Sequence, residues 1–138
     1  MVAEAVIPQI NGLLDQHATF FPIAIAVLKN ETITEVVIHK EDERPSSEQA
    51  IIELKQELRS RAINEQYLAC ALFYITRTLN RSTNKITDAI AMHYENTIMG
   101  NANIYYYPYT FTHNKKIKYG KSAMTRLVEK KIFTPPVG

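Results

Sequence analysis

Three β-like runs of this chain each carry alanine at two alternate positions: Ala24 and Ala26, Ala69 and Ala71, Ala89 and Ala91. Side chains two apart on a strand share a face. The positions between are bulky: Ile23, Ile25 and Val27; Leu68, Cys70 and Leu72; Ile90 and Met92. The pattern predicts a sheet with one face thick with aliphatic side chains and the other nearly bare. A bare face lets something large approach the backbone, and the run Tyr105-Tyr106-Tyr107-Pro108-Tyr109 supplies a candidate.

A chain of 138 residues suits one domain over 1–138, large enough to bury about two-thirds of its unfolded surface without staples. The lone Cys70 lies in an apolar run, which reads as a small core residue in a reducing compartment. No stretch reaches the ~20 apolar residues of a membrane span. Met1–Pro8 lacks the cationic start and cleavage site of a signal peptide, so the expected location is cytoplasmic. Charge is uneven: residues 1–65 hold 11 acidic and 6 basic side chains, whereas 115–138 hold 7 basic and 1 acidic. Such asymmetry marks either a basic interaction tail or a solvated segment that complements the acidic half of its own chain.

The periodicity predicts a helix over 3–17, with Pro8 either starting or kinking it. Strands follow over 20–28 and 32–39, joined by a short turn and so paired as an antiparallel hairpin. Ser46 and Gln49 form a helix start, and Ile51, Leu54, Leu58 and Ala62 make one apolar stripe of a helix ending near Asn64. Three more strands, 67–78, 86–95 and 104–112, form a meander. Residues 113–120 read as a basic turn, and 122–133 as a last helix or an extended arm. The chain thus divides into an N-terminal helix (1–19), a sheet with its central helix (20–112) and a basic C-terminal segment (113–138).

The expected fold class is α+β, in the order α-β-β-α-β-β-β with a possible final α. One five-stranded antiparallel sheet in the order 2-1-5-4-3 carries helices on both faces. Topologically this is similar to roadblock and profilin-like domains, a likeness that fixes no function. In this arrangement Tyr105, Tyr107 and Tyr109 share the alanine face, beside Ala24, Ala26, Ala89 and Ala91. Ile104 and Tyr106 join the aliphatic face under the central helix, and the N-terminal helix or another chain covers the alanine–tyrosine side.

Phe21-Pro22-Ile23-Ala24, Pro45-Ser46-Ser47, Asp88-Ala89-Ile90 with Glu95, and Tyr107-Pro108-Tyr109 resemble corresponding motifs in a set of small uncharacterised bacterial proteins. The likeness covers about residues 20–112; Ile23-Ala24 replaces the Phe-Gly pattern of that set. It implies the element order and a bacterial source, and no chemistry.

His93 and Glu95 alternate on one strand and project to one side, the minimum for an acid/base pair in a small hydrolase or ligand-binding enzyme. No third residue is spaced to complete a metal site, and no cofactor motif is present: Gly120-Lys121-Ser122 lacks the glycine a phosphate loop needs at position 115. His17, His39 and His113 stand at element ends, the usual solvated situation. Lys115, Lys116, Lys118 and Lys121 beside tyrosines form a candidate for single-stranded nucleic acid, on a domain only mildly basic overall. Tyrosine is enriched at interfaces. The leading expectation is therefore a non-catalytic interaction module that self-associates, as a homodimer for instance, or binds a partner protein as an adaptor or inhibitor of the immunity type.

Overall fold

The computed structural model describes residues 2–98, 102–127 and 132–133. Helix α1 (Val2–His17) is unbroken and holds Pro8 in its interior. A proline inside a helix costs about 3 kcal/mol. The stripe Val2, Ala3, Val6, Ile10 and Leu14, all buried, offsets it. Helix α1 ends without glycine: Ala18 takes the left-handed region (φ 59°) and its N–H donates to the Leu14 carbonyl. That reversal sends the chain into β1 (Ile23–Val27), which pairs with β2 (Ile33–Val36). After a single turn of 3-10 helix (Glu41–Glu43), α2 (Ser47–Asn64) begins. Its cap is the predicted one, the Ser46 hydroxyl accepting from the Gln49 N–H at 3.2 Å.

The meander is β3 (Ala69–Asn80), β4 (Lys85–Asn96) and β5 (Ala102–Phe111). Two short strands follow, β6 (Ile117–Tyr119) and β7 (Ala123–Leu127). Among the described residues no helix is long and apolar enough to cross a membrane.

All strands are antiparallel, in the order β2-β1-β3-β4-β5-β6, with β7 also on β5. This corrects the expected 2-1-5-4-3. Strand β1 pairs with β3, Ile25 opposite Ala71, and not with the tyrosine strand. Strands β3 and β5 run in the same direction, so both were compatible with an antiparallel place beside β1. Of the two readings of 122–133, a last helix or an extended arm, the described part is extended, with strand over Ala123–Leu127, and the basic turn contains β6. Residues 128–131 and 134–138, including Pro135-Pro136, lie outside the described residues.

The face assignment changes with the order. On the α1 face lie Ile23, Ile25, Ala71, Phe73, Ile90, Met92 and Tyr109, with Tyr105 and Tyr107 packed against them. On the α2 face lie Ala24, Ala26, Cys70 and Leu72 under Leu54, Leu58 and Ala62. By alternation along β4, Ala89, Ala91, His93 and Glu95 share that second face. The alanine pairs are thus split: Ala71 belongs with the aliphatic side chains, and Ala24, Ala26, Ala89 and Ala91 oppose the three odd-numbered tyrosines. The central helix covers the methyl face, not the aliphatic one. The small-beside-large logic survives in one row, where Ala91 stands between its partners Tyr74 and Tyr106 and is fully buried.

Candidate functional site

The end of α1, the Thr19–Pro22 linker and β2 with its continuation to His39 enclose a cleft of about 590 Å³. Leu54 of α2 reaches its wall. This volume is in the range of binding clefts. Phe21 organises its polar groups. The Arg44 guanidinium sits 4.6 Å over the Phe21 ring centroid, a cation–π contact. The His39 imidazole meets the same ring edge-on, centroids 6.0 Å apart. Nε2 of His39 is 2.6 Å from Oε2 of Glu53 on α2, and 14% of the His39 side chain is exposed. A carboxylate that fixes one ring nitrogen orients the other. Glu35 and Glu41 add charge to the lining and His17 a second imidazole, and Thr19 is its one hydroxyl among the described residues.

His39 is therefore not the solvated end residue its sequence position suggested. Nothing local in the sequence announces a partner 14 residues away on another element. The one signal for Arg44 was its place just before the helix cap at Ser46.

His93 and Glu95 come together, but in the interior. Nε2 of His93 is 2.5 Å from Oε2 of Glu95, and both side chains are fully buried. The Glu95 carboxylate also accepts from the backbone N–H groups of Ile132 (2.9 Å) and Phe133 (3.1 Å). A β-strand carboxylate thus clamps the C-terminal segment over the α2 face. Nδ1 of His93 has no hydrogen-bond partner among the described residues. Cys70 stands opposite Glu95 in the β3–β4 ladder. Burial pushes its thiol up to about 12, and the Glu95 charge adds to the shift, so it is no nucleophile at neutral pH. Neither member of the pair lines the cleft beside β2 or the smaller apolar hollow against Phe133. Among the described residues no group of three His, Cys, Asp or Glu side chains is placed to hold a metal ion.

The proposed alanine–tyrosine surface does not exist as one surface. Ala24, Ala26, Ala89 and Ala91 are buried on the α2 side, and Tyr109 is buried under α1 with its hydroxyl unpartnered among the described residues. Tyr105 and Tyr107 are half-buried on that same α1 side. Lys115, Lys116, Lys118 and Lys121 are all exposed along the β5–β6 turn, β6 and the break before β7. Gly120-Lys121-Ser122 is that break: Gly120 N–H donates to the Pro108 carbonyl, and Lys121 N–H to the Ser82 hydroxyl. Tyr119 donates its hydroxyl proton to Asn11 of α1, which ties β6 to the helix.

No protein family, curated protein or solved structure matches this chain.

Proposed function

We propose that this protein is a non-catalytic interaction module that takes an extended segment of a partner protein along β2. One observation carries the reading: β2 ends the sheet, so its outer backbone edge is unpaired among the described residues, and the same stretch, Glu35 to His39, walls the cleft. An added strand gains main-chain hydrogen bonds from the edge and specificity from side chains entering the cleft. Ile33 (44% exposed) and Val37 (63%) offer apolar contact beside it. A binding role fits the lining better than group transfer, because among the described residues the oriented His39 is accompanied by Thr19 as the sole hydroxyl and by no thiol. The buried, unpaired thiol of Cys70 accords with a reducing bacterial cytoplasm.

Selection from a random displayed-peptide library tests this. Selected peptides are expected to shift the amide resonances of Ile33–Val36 and the side-chain signals of Phe21 and His39. Val37→Asp should weaken them by about tenfold, the loss of one buried apolar contact plus a desolvated charge. Peptides that perturb only other surfaces, or no selected peptide at all, would reject strand addition at β2.

A further inference from the structure

The sheet ends in two lateral edges of opposite charge. Residues 29–44 around β2 hold five acidic side chains, Glu31, Glu35, Glu41, Asp42 and Glu43, against Lys29, Lys40 and Arg44, all exposed. Residues 113–127 hold Lys115, Lys116, Lys118, Lys121 and Arg126 and no acid, and these too are exposed. None of these five acids and none of these five bases takes part in an ion pair among the described residues. Among the described residues, then, these basic side chains do not pair with those acidic ones. Strand order explains why: β2 and β6–β7 stand at opposite ends of the sheet.

Both edges are also open among the described residues. Strands β6 and β7 pair only with β5, against Tyr109–Phe111 and Ala102–Tyr106 respectively, which leaves their outer backbone unpaired among the described residues. The two broad faces are covered by α1 and α2.

We infer that the segment received along β2 is the β6–β7 edge of a second copy of this chain, so that copies join head to tail. This rests on the strand-addition reading above and names its partner. Two-fold pairing is disfavoured by the same charges: β2 on β2 sets Glu35 among acids, and β7 on β7 sets Arg126 and Lys121 among bases. Like charges opposite one another destabilise a strand pair. A head-to-tail contact repeats, closing into a ring or extending into a filament. With β2 four residues long and β7 five, the ladder is short. The contact belongs to the weak, transient class, and its electrostatic part is screened by salt.

Sedimentation velocity on the full chain tests this across concentration, at roughly 50 mM and roughly 0.5 M salt, where screening lengths differ several-fold. Concentration-dependent association is expected at low salt, weakened at least about tenfold at high salt. Glu35→Lys alone and Lys121→Glu/Arg126→Glu alone should each abolish it; all three positions are exposed, and unchanged circular dichroism melts verify folding. Zero-length carboxylate–amine cross-linking of a mixture of isotopically light and heavy chains identifies the edges. Links between copies from Lys118 or Lys121 to Glu31 or Glu35 are expected. A chain that stays monomeric, associates regardless of salt, or cross-links through other surfaces overturns the inference. If that chain still takes a library-selected peptide along β2, the binding reading stands without it; if it takes none, both fall.

Discussion

Gly120 lies directly against the side chain of Asn80. A methyl group at Gly120 would stand 2.8 Å from the Asn80 Cγ and closer still to its Oδ1. Asn80 has no room to retreat: it is 1% exposed, and its Oδ1 accepts the Ser82 N–H at 3.0 Å. The contact pins the tip of the β3–β4 hairpin to the break between β6 and β7. Gly120→Ala should therefore destabilise the protein by about 1–3 kcal/mol, the usual range for overpacking. In an Asn80→Ala background the added cost should shrink, a coupling that a double-mutant cycle of denaturant melts reads directly.

Ala18 predicts the opposite sign. It ends α1 in the left-handed region at φ 59° and is exposed. An L-residue is strained there by about 1 kcal/mol, and glycine is not. Ala18→Gly should raise stability by up to about that amount, with no change in the buried stripe of α1. A lower thermal midpoint for the variant would contradict this account of the helix end.

Glu95 holds the C-terminal segment through two backbone N–H groups while also engaging His93. Glu95→Ala leaves these buried donors without their acceptor, a loss of about 3 kcal/mol or more. Amide exchange at Ile132 and Phe133 should accelerate ahead of the rest of the chain. Glu95→Gln retains one carbonyl acceptor and should release the segment less. Equal exchange rates in all three proteins would show that the clamp does not secure the segment.

The Cys70 thiol, pushed up to about 12 by burial, has a thiolate fraction of about one in ten thousand at pH 8. A thiol-reactive disulfide reagent should label it only as fast as the protein opens, and labelling should become immediate in denaturant. Rapid stoichiometric reaction of the native chain would place Cys70 elsewhere.

Alkaline pH should weaken the fold in a defined window. Burial raises Cys70 from 9.0, and Tyr67 and Tyr109 from 10.0, each to about 12. Between pH 9 and 12 the unfolded chain loses these protons while the folded chain keeps them. The folded state then binds more protons, so stability falls as pH rises. Their contribution is complete below about pH 9 and gone above about pH 12. Cys70→Ala should move the onset of the decline toward pH 10 in denaturant titrations. A flat profile from pH 8 to pH 11.5 would be incompatible with these groups being buried neutral.

Local chemistry made the elements legible. Ser46 and Gln49 marked the start of α2, the stripe from Ile51 to Ala62 its buried side, and alternation the hairpin and the meander. Strand order was not legible in the same way, because antiparallel direction alone does not choose between β3 and β5 as the neighbour of β1. A usable signal was present: Leu68 to Phe73 is apolar on both faces, like Ile23 to Val27 beside which it lies, as strands covered by a helix on each face should be. Misplacing that one strand put the tyrosines on the wrong layer. The cleft was illegible for a different reason. His39, Glu53, Phe21 and Arg44 lie on four different pieces of chain, and only tertiary packing brings them together. His93 and Glu95 were correctly placed on one side of β4, but alternation says nothing about depth, and the pair is sealed inside.

The methyl floor under α2 has a mechanical consequence. Leu54 shares a buried cluster with Ala24 and Ala26 and also lines the cleft. The height of α2 above the strands is set by a single carbon at each of those positions. Any bulk added there would jack the helix upward and carry Glu53 with it, tilting the His39 ring that Glu53 steadies. The aperture beside β2 is thus calibrated from beneath, by side chains that never touch whatever enters it.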